Sequence, residues 1–259
     1  MAEASLPKSE VIVGTPLCRH TAFMLDKFLS NQQEIQQAYP DCRLVLATDE
    51  PDFVAELKQQ INHYRLKGEV ITYKTIKPDY ARSRIWSITS GREALRRYAL
   101  LQRIEYLLFL DGDMVYEPAV IGVIKSKIQG FDVASSGYRL RRWGELGFSG
   151  CALIKRKILN RITFRCYEFK NGQVIYEGEL FDMDMFTCHA RVQVGIFVSI
   201  KHYRNREEYY AIDPRPLGWF RTLTNNPLLR YMLVRMSILI KYNIAYNLQA
   251  WLYKRQSLG

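Results

Sequence analysis

The amino-acid sequence predicts an α/β fold: a mostly parallel sheet flanked by helices, followed by a C-terminal helical extension. Three observations predict it. Short aliphatic and β-branched runs alternate with longer amphipathic stretches through the first half of the chain, the rhythm of strand–helix–strand units with right-handed crossovers. The run from Tyr106 to Leu110 is uninterruptedly apolar, as suits a strand buried on both faces. That run stops at two carboxylates, Asp111 and Asp113, with one glycine between them. A core does not tolerate neighbouring carboxylates. The strand must therefore leave the core there, at the carboxyl edge where open α/β sheets bind ligands.

In chain order, residues 11–14 read as the first strand, with Thr15 and Pro16 in the loop after it and a helix over 21–37. Residues 44–48 form the second strand. Asp49, Glu50 and Pro51 then open a helix with acids and a proline, both favourable in a first turn. A third strand covers 70–73, and a helix over 87–101 precedes the strand ending at Asp111. Further on, a helix near 118–129 leads to a strand over 132–136, a Gly- and Arg-rich stretch over 137–147, and a strand over 148–154. Asn171-Gly172, between apolar runs, is a hairpin signal. Residues 180–194 read as a helix opening with acids, and 197–201 as a last strand reaching His202.

Composition narrows the function classes. A chain of 259 residues with 48% hydrophobic and 24% charged residues folds rather than staying disordered. The first ten residues hold no apolar stretch resembling a signal peptide. Five widely spaced cysteines without a Cys-x-x-Cys pair fit reduced thiols, not a disulfide framework or a zinc site. No Asn-x-Ser/Thr acceptor occurs. The expected location is cytoplasmic, peripheral on the inner face of a membrane.

The net charge of +11 is uneven: seven Lys and Arg and no acid follow Asp213. This divides the chain into a catalytic-type domain over 1–213 and a basic, apolar helical extension over 214–259. Within the extension, 228–253 mixes Leu, Ile, Met, Tyr and Trp with scattered basic residues, and its uncharged runs are too short to span a bilayer. An anionic membrane surface suits such a segment. Packing on the chain's own core or in a homodimer is the plainer alternative, and a nucleic-acid backbone a weaker one.

The chemistry-bearing residues are few. Asp111 and Asp113 offer hard oxygen donors on a tight turn, suited to a divalent cation carrying a phosphorylated ligand. The same tripeptide also serves as ordinary strand-to-turn punctuation. Gly150, in Gly147-Phe148-Ser149-Gly150, permits close backbone approach to a ligand or simply marks a bulge. Asp182 and Asp184 stand near a helix start, where the dipole favours them whatever their function. His202 ends an apolar strand.

Their order resembles the GT-A glycosyltransferases, closest to the broad family 2-like group of nucleotide-sugar-dependent enzymes: a strand ending Asp-x-Asp, a glycine-bearing strand, an acidic helix start, and a histidine after the last strand. The resemblance runs over about 11–202. It implies a GT-A (Rossmann-like) fold and a metal-dependent glycosyltransferase that moves a sugar from a UDP- or GDP-sugar donor to a hydroxyl acceptor, lipid-linked or in a glycolipid or polysaccharide. Asp111 and Asp113 match the Asp-x-Asp motif and His202 the C-terminal histidine, implying Mn²⁺ or Mg²⁺ held by all three, with Asp111 also near the donor ribose. Thr15, Pro16 and Asp49 match positions around the nucleotide base, Arg92 one near the diphosphate, and Gly150 one beside the sugar. Asp184 aligns with the final aspartate of the Glu-Asp motif that supplies the catalytic base. Met183 replaces the expected Glu, so Asp182 shares the assignment. The rival readings are transfer to nucleic acid, a sugar-1-phosphate nucleotidylyltransferase, and a non-catalytic nucleotide-sugar-binding module. The second lacks its Gly- and Arg-rich first loop here, where Gly14-Thr15-Pro16-Leu17 stands instead.

Overall fold

A computed structural model describes residues 10–137, 150–214, 226–229, 231–236 and 238–240. The first half alternates as β1 (Val11–Pro16), α1 (Leu25–Ala38), β2 (Cys42–Thr48), α2 (Val54–His63), β3 (Gly68–Thr72), α3 (Ile85–Leu101) and β4 (Tyr106–Leu110). The second half adds β5 (Met114–Tyr116), α4 (Val120–Lys127), β6 (Val133–Ser136), β7 (Cys151–Lys155) and a short α5 (Arg156–Leu159). It continues with β8 (Tyr167–Glu168), β9 (Val174–Ile175), α6 (Glu177–Thr187), β10 (Val192–Gly195), β11 (Ile200–Tyr203) and β12 (Tyr209–Ile212). Seven strands form one sheet in the order β10-β6-β7-β4-β1-β2-β3. It is mostly parallel; β7 alone runs against its neighbours β4 and β6. A small antiparallel sheet, β12-β11-β5, stands beside it, and β8 pairs with β9.

Side chains alternating along each central strand feed two cores, one on each face of the sheet. Val11, Val13, Leu108 and Leu110 join Phe28 and Leu29 of α1 and Leu57 and Ile61 of α2. Ile12, Leu107 and Phe109 join Leu95 and Ala99 of α3 and Phe181 and Met185 of α6. Residues 106–110 are accordingly buried throughout, which explains their unbroken apolar run. Each large apolar side chain so buried stabilises the fold by about 1.5–3 kcal/mol.

The sequence-based expectations need correction at several places. Thr15 and Pro16 are not loop residues; they continue β1, opposite Leu46 and Ala47 of β2. The helix expected over 180–194 stops at Thr187, where His189 takes a left-handed φ of 53° and the chain turns into β10 beside β6. The last strand starts at Ile200 and not at 197, and β12 follows it. Residues 148 and 149, and most of the Gly- and Arg-rich stretch, lie outside the described residues, as do 241–259 of the extension.

In the extension, residues 227–229, 231–236 and 238–240 are helical. Asn226 caps this start, its Oδ1 accepting the Leu229 N–H at 3.0 Å, with Pro227 in the first turn. Tyr231 stacks on Phe186 of α6 with ring centroids 4.1 Å apart, and Val234 is fully buried.

Candidate active site

The carboxyl end of β4 is anchored by Tyr116, a buried side chain. Its hydroxyl donates to the Gly150 carbonyl at 2.6 Å and receives the Asp111 N–H at 3.0 Å. The Asp111 N–H also points to the Gly150 carbonyl at 3.1 Å. Two glycines stand in close contact with side chains here. A Cβ on Gly112 would stand 2.4 Å from Leu17 Cδ2, and one on Gly150 would stand 2.5 Å from Asp111 Oδ2. Gly150 thus lies against the carboxylate itself.

Asp113 and His202 meet. His202 Nε2 is 3.1 Å from Asp113 Oδ2, because β5 begins one residue after Asp113 and pairs with β11 in a register that places Met114 opposite His202. The Tyr203 N–H adds a bond to the Asp113 carbonyl at 2.9 Å. On the other side of the imidazole, Nδ1 contacts the Tyr210 hydroxyl of β12. Nε2 is therefore the nitrogen presented to Asp113, the arrangement in which an outer partner orients a ligating histidine.

Asp111 does not join this pair. Its Oδ1 is 2.7 Å from Arg92 Nη2, while Nη1 of the same guanidinium pairs with Glu177 at the first position of α6. Arg92 and Glu177 are 7% and 4% exposed. A cation so buried needs opposite charge close by, and that need draws Asp111 towards α3. Glu177 was missed in the sequence because acids at a helix start are common. The neighbouring Glu179 does serve as a cap, accepting the Tyr176 N–H at 2.9 Å. The usable signal was Arg92, which falls on the buried face of α3.

The two α6 aspartates are placed differently from Glu177. Asp184 lies two turns on, about 10 Å further along the axis. Arg165 grips both its oxygens, at 2.5 and 2.8 Å. This bidentate pair raises the Arg165 pKa and occupies both of the carboxylate oxygens. Asp182 is 2% exposed.

The other residues expected around the donor make contacts within the protein, and Glu168 does the same nearby. Thr15 is fully buried and donates its hydroxyl to the Leu110 carbonyl at 2.7 Å, tying β1 to the end of β4. Pro16 packs where a Cβ on Gly91 of α3 would come within 2.9 Å. Asp49 Oδ2 accepts hydroxyls from Thr75 at 2.5 Å and Ser87 at 2.9 Å. Glu168 holds the segment before α3, accepting the N–H groups of Arg82 and Ser83 at 3.0 and 3.1 Å and the Trp86 indole N–H at 3.0 Å. Burial alone would raise its pKa, but these three donors outweigh it and the carboxyl sits below its usual range. Arg82 and Arg84 stay exposed.

The donor set fits a divalent cation. The Asp113 carboxylate is a hard oxygen donor, and the His202 imidazole adds one nitrogen donor beside it. Among the described residues no group of three or more His, Cys, Asp and Glu side chains converges to hold a metal, so a bound ion would take its other ligands from phosphate oxygens and water.

No protein-family model and no curated protein matches the sequence. Solved structures match in shape. The mannosyltransferase PcManGT from Pyrobaculum calidifontis, in complex with GDP-Man and Mn²⁺, is similar with a TM-score of 0.50 and 13% identity, over 71% of this chain and 54% of that one. S. aureus TarS 1-349 in complex with UDP-GlcNAc gives 0.45 and 15%, over 82% and 60%. A mycobacterial protein gives 0.47 and 13%, over 88% and 76%. The chain spans 54% of the length of PcManGT and 60% of that of TarS 1-349. At such identities the likeness to PcManGT establishes the fold alone: a GT-A-like α/β sheet.

Proposed function

We propose that this protein is a metal-dependent glycosyltransferase that moves a sugar from a UDP- or GDP-sugar to a hydroxyl acceptor. The observation that carries the reading is the Asp113–His202 pair, 3.1 Å apart at the carboxyl edge of β4, in a fold shared with a mannosyltransferase solved with GDP-Man and Mn²⁺. Asp113 and His202 would hold Mn²⁺ or Mg²⁺, which when bound neutralises charge on the diphosphate as the sugar bond breaks. Exposed Arg82 and Arg84 supply charge-assisted hydrogen bonds to phosphate. Asp111, fixed by Arg92 and the Tyr116–Gly150 stitch, faces the donor ribose. Asp184 takes the acceptor's proton once Arg165 yields to the acceptor, with Asp182 as the alternative base; general-base assistance contributes about 10²–10⁴-fold.

The acceptor in this reading is lipid-linked, in keeping with the basic extension. The grip of Arg165 on Asp184 favours one second reading, a module that binds a nucleotide-sugar without transferring it.

The test is a thermal-shift panel of UDP- and GDP-sugars with and without Mn²⁺, followed by donor-hydrolysis and transfer assays on the hits. A ligand bound only by the native state raises the melting temperature. A metal-dependent shift with turnover supports the transferase. A shift without turnover supports the binding module, and no shift with any donor rejects both.

A further inference from the structure

The described part of the extension has two apolar faces, and among the described residues only one is covered. Tyr231 and Val234 face the body, the former stacked on Phe186. At about 100° per residue, Leu228, Met232, Met236, Leu239 and Ile240 fall within an arc of about 120° turned away from Val234. All five are exposed, at 57%, 52%, 56%, 50% and 55%. Single exposed apolar residues need no explanation, but a stripe of five on one helix face marks an interaction surface.

The charge around the stripe decides what covers it. No acid follows Asp213, while seven Lys and Arg do. A second copy docking face to face would bring two such acid-free segments together, and like charges oppose that contact. An anionic lipid surface is complementary to it. Arg235, next to the stripe, draws its guanidinium back over the Tyr231 ring, 6.0 Å from the centroid, on the side towards the body. The stripe is left clear of charge, and the basic group sits where a headgroup would meet it.

We propose that the helical residues 227–229, 231–236 and 238–240 form a monotopic docking surface for an anionic membrane, with Leu228, Met232, Met236, Leu239 and Ile240 entering the headgroup–acyl boundary and Arg235 beside them pairing with lipid phosphate. Among the described residues no helix is long and apolar enough to cross a membrane, so the contact lies in the interface plane. This surface is independent of the transfer chemistry and stands whether or not the protein turns over a sugar.

The test uses the full chain with vesicles of phosphatidylcholine alone or mixed with phosphatidylglycerol. Binding to the mixed vesicles, weakened by salt and by leaving out the anionic lipid, is the expected result. The M232D/M236D variant changes only exposed side chains. It should keep the wild-type melting curve while its partition to mixed vesicles falls about tenfold or more. Wild-type-like partition by that variant, or no binding by the parent, overturns the proposal. So does a parent dimer in light scattering that the variant dissolves, since the stripe would then belong to a second copy.

Discussion

Asp113 and His202, 89 positions apart in the chain, stand 3.1 Å apart because one follows β4 and the other lies in β11, and β5 joins the two. His202→Ala and Asp113→Ala should each weaken Mn²⁺ binding in the presence of UDP or GDP by well over tenfold, with circular dichroism unchanged. Tyr210→Phe, which removes the partner of Nδ1, should weaken it by about tenfold. Calorimetry with Mn²⁺ and the nucleoside diphosphate measures this, and wild-type affinity in His202→Ala would reject the metal assignment.

Glu177→Gln leaves the buried Arg92 with Asp111 as the remaining carboxylate of the two that hold it. Removing one member of a buried ionic cluster costs about 3–5 kcal/mol. Urea unfolding should show that loss, and Glu177→Asp should recover part of it. A change below 1 kcal/mol, on the order of an exposed pair, would show that Glu177 is not a structural counter-charge.

Gly150→Ala would press a Cβ onto Asp111, at 2.5 Å from Oδ2 and 2.9 Å from Cγ. The carboxylate must then leave Arg92. Overpacking of this kind costs about 1–3 kcal/mol, and donor binding should weaken more than global stability does. Equal donor affinity in the two proteins would remove Asp111 from the donor site.

Glu168 gives the segment before α3 a pH dependence. Its carboxyl is depressed below the usual range, since the three N–H donors outweigh the effect of burial. Its contribution is therefore complete above the unfolded carboxylate value and is lost as pH falls through the lower folded value. Hydrogen-exchange protection at residues 82–86, taken relative to the intrinsic rate at each pH, should fall on acidification in the wild type. In Glu168→Gln it should already be low at neutral pH and change little with acid.

Asp184→Asn should keep donor binding in calorimetry while lowering transfer by about 10²-fold or more. Arg165→Met, which frees both carboxylate oxygens, should change the transfer rate rather than donor affinity. Unchanged turnover in Asp184→Asn passes the role of base to Asp182.

β4 was legible in the sequence because burial on both faces goes with an unbroken apolar run, as 106–110 shows. Asp113 and His202 were legible as partners only through their order along a GT-A-like chain; nothing local in either residue points to the other. β5 was missed because three residues are too few to show a period. β10 was missed because the break after α6 falls on His189, whose left-handed φ would ordinarily be marked by glycine or asparagine. The Arg92–Asp111–Glu177 cluster was only half legible, since the family resemblance implies a diphosphate near Arg92 but not that Asp111 and Glu177 hold it.

The small β12-β11-β5 sheet also has a consequence for synthesis. Six of the seven strands of the large sheet lie before residue 160, so most of it can begin to assemble while the ribosome still holds His202. A nascent chain therefore passes through a stage with the carboxyl edge of β4 laid down and Asp113 present, but not yet His202. On the proposed reading, an ion could be gripped from both sides only after β11 has been made and has paired with β5.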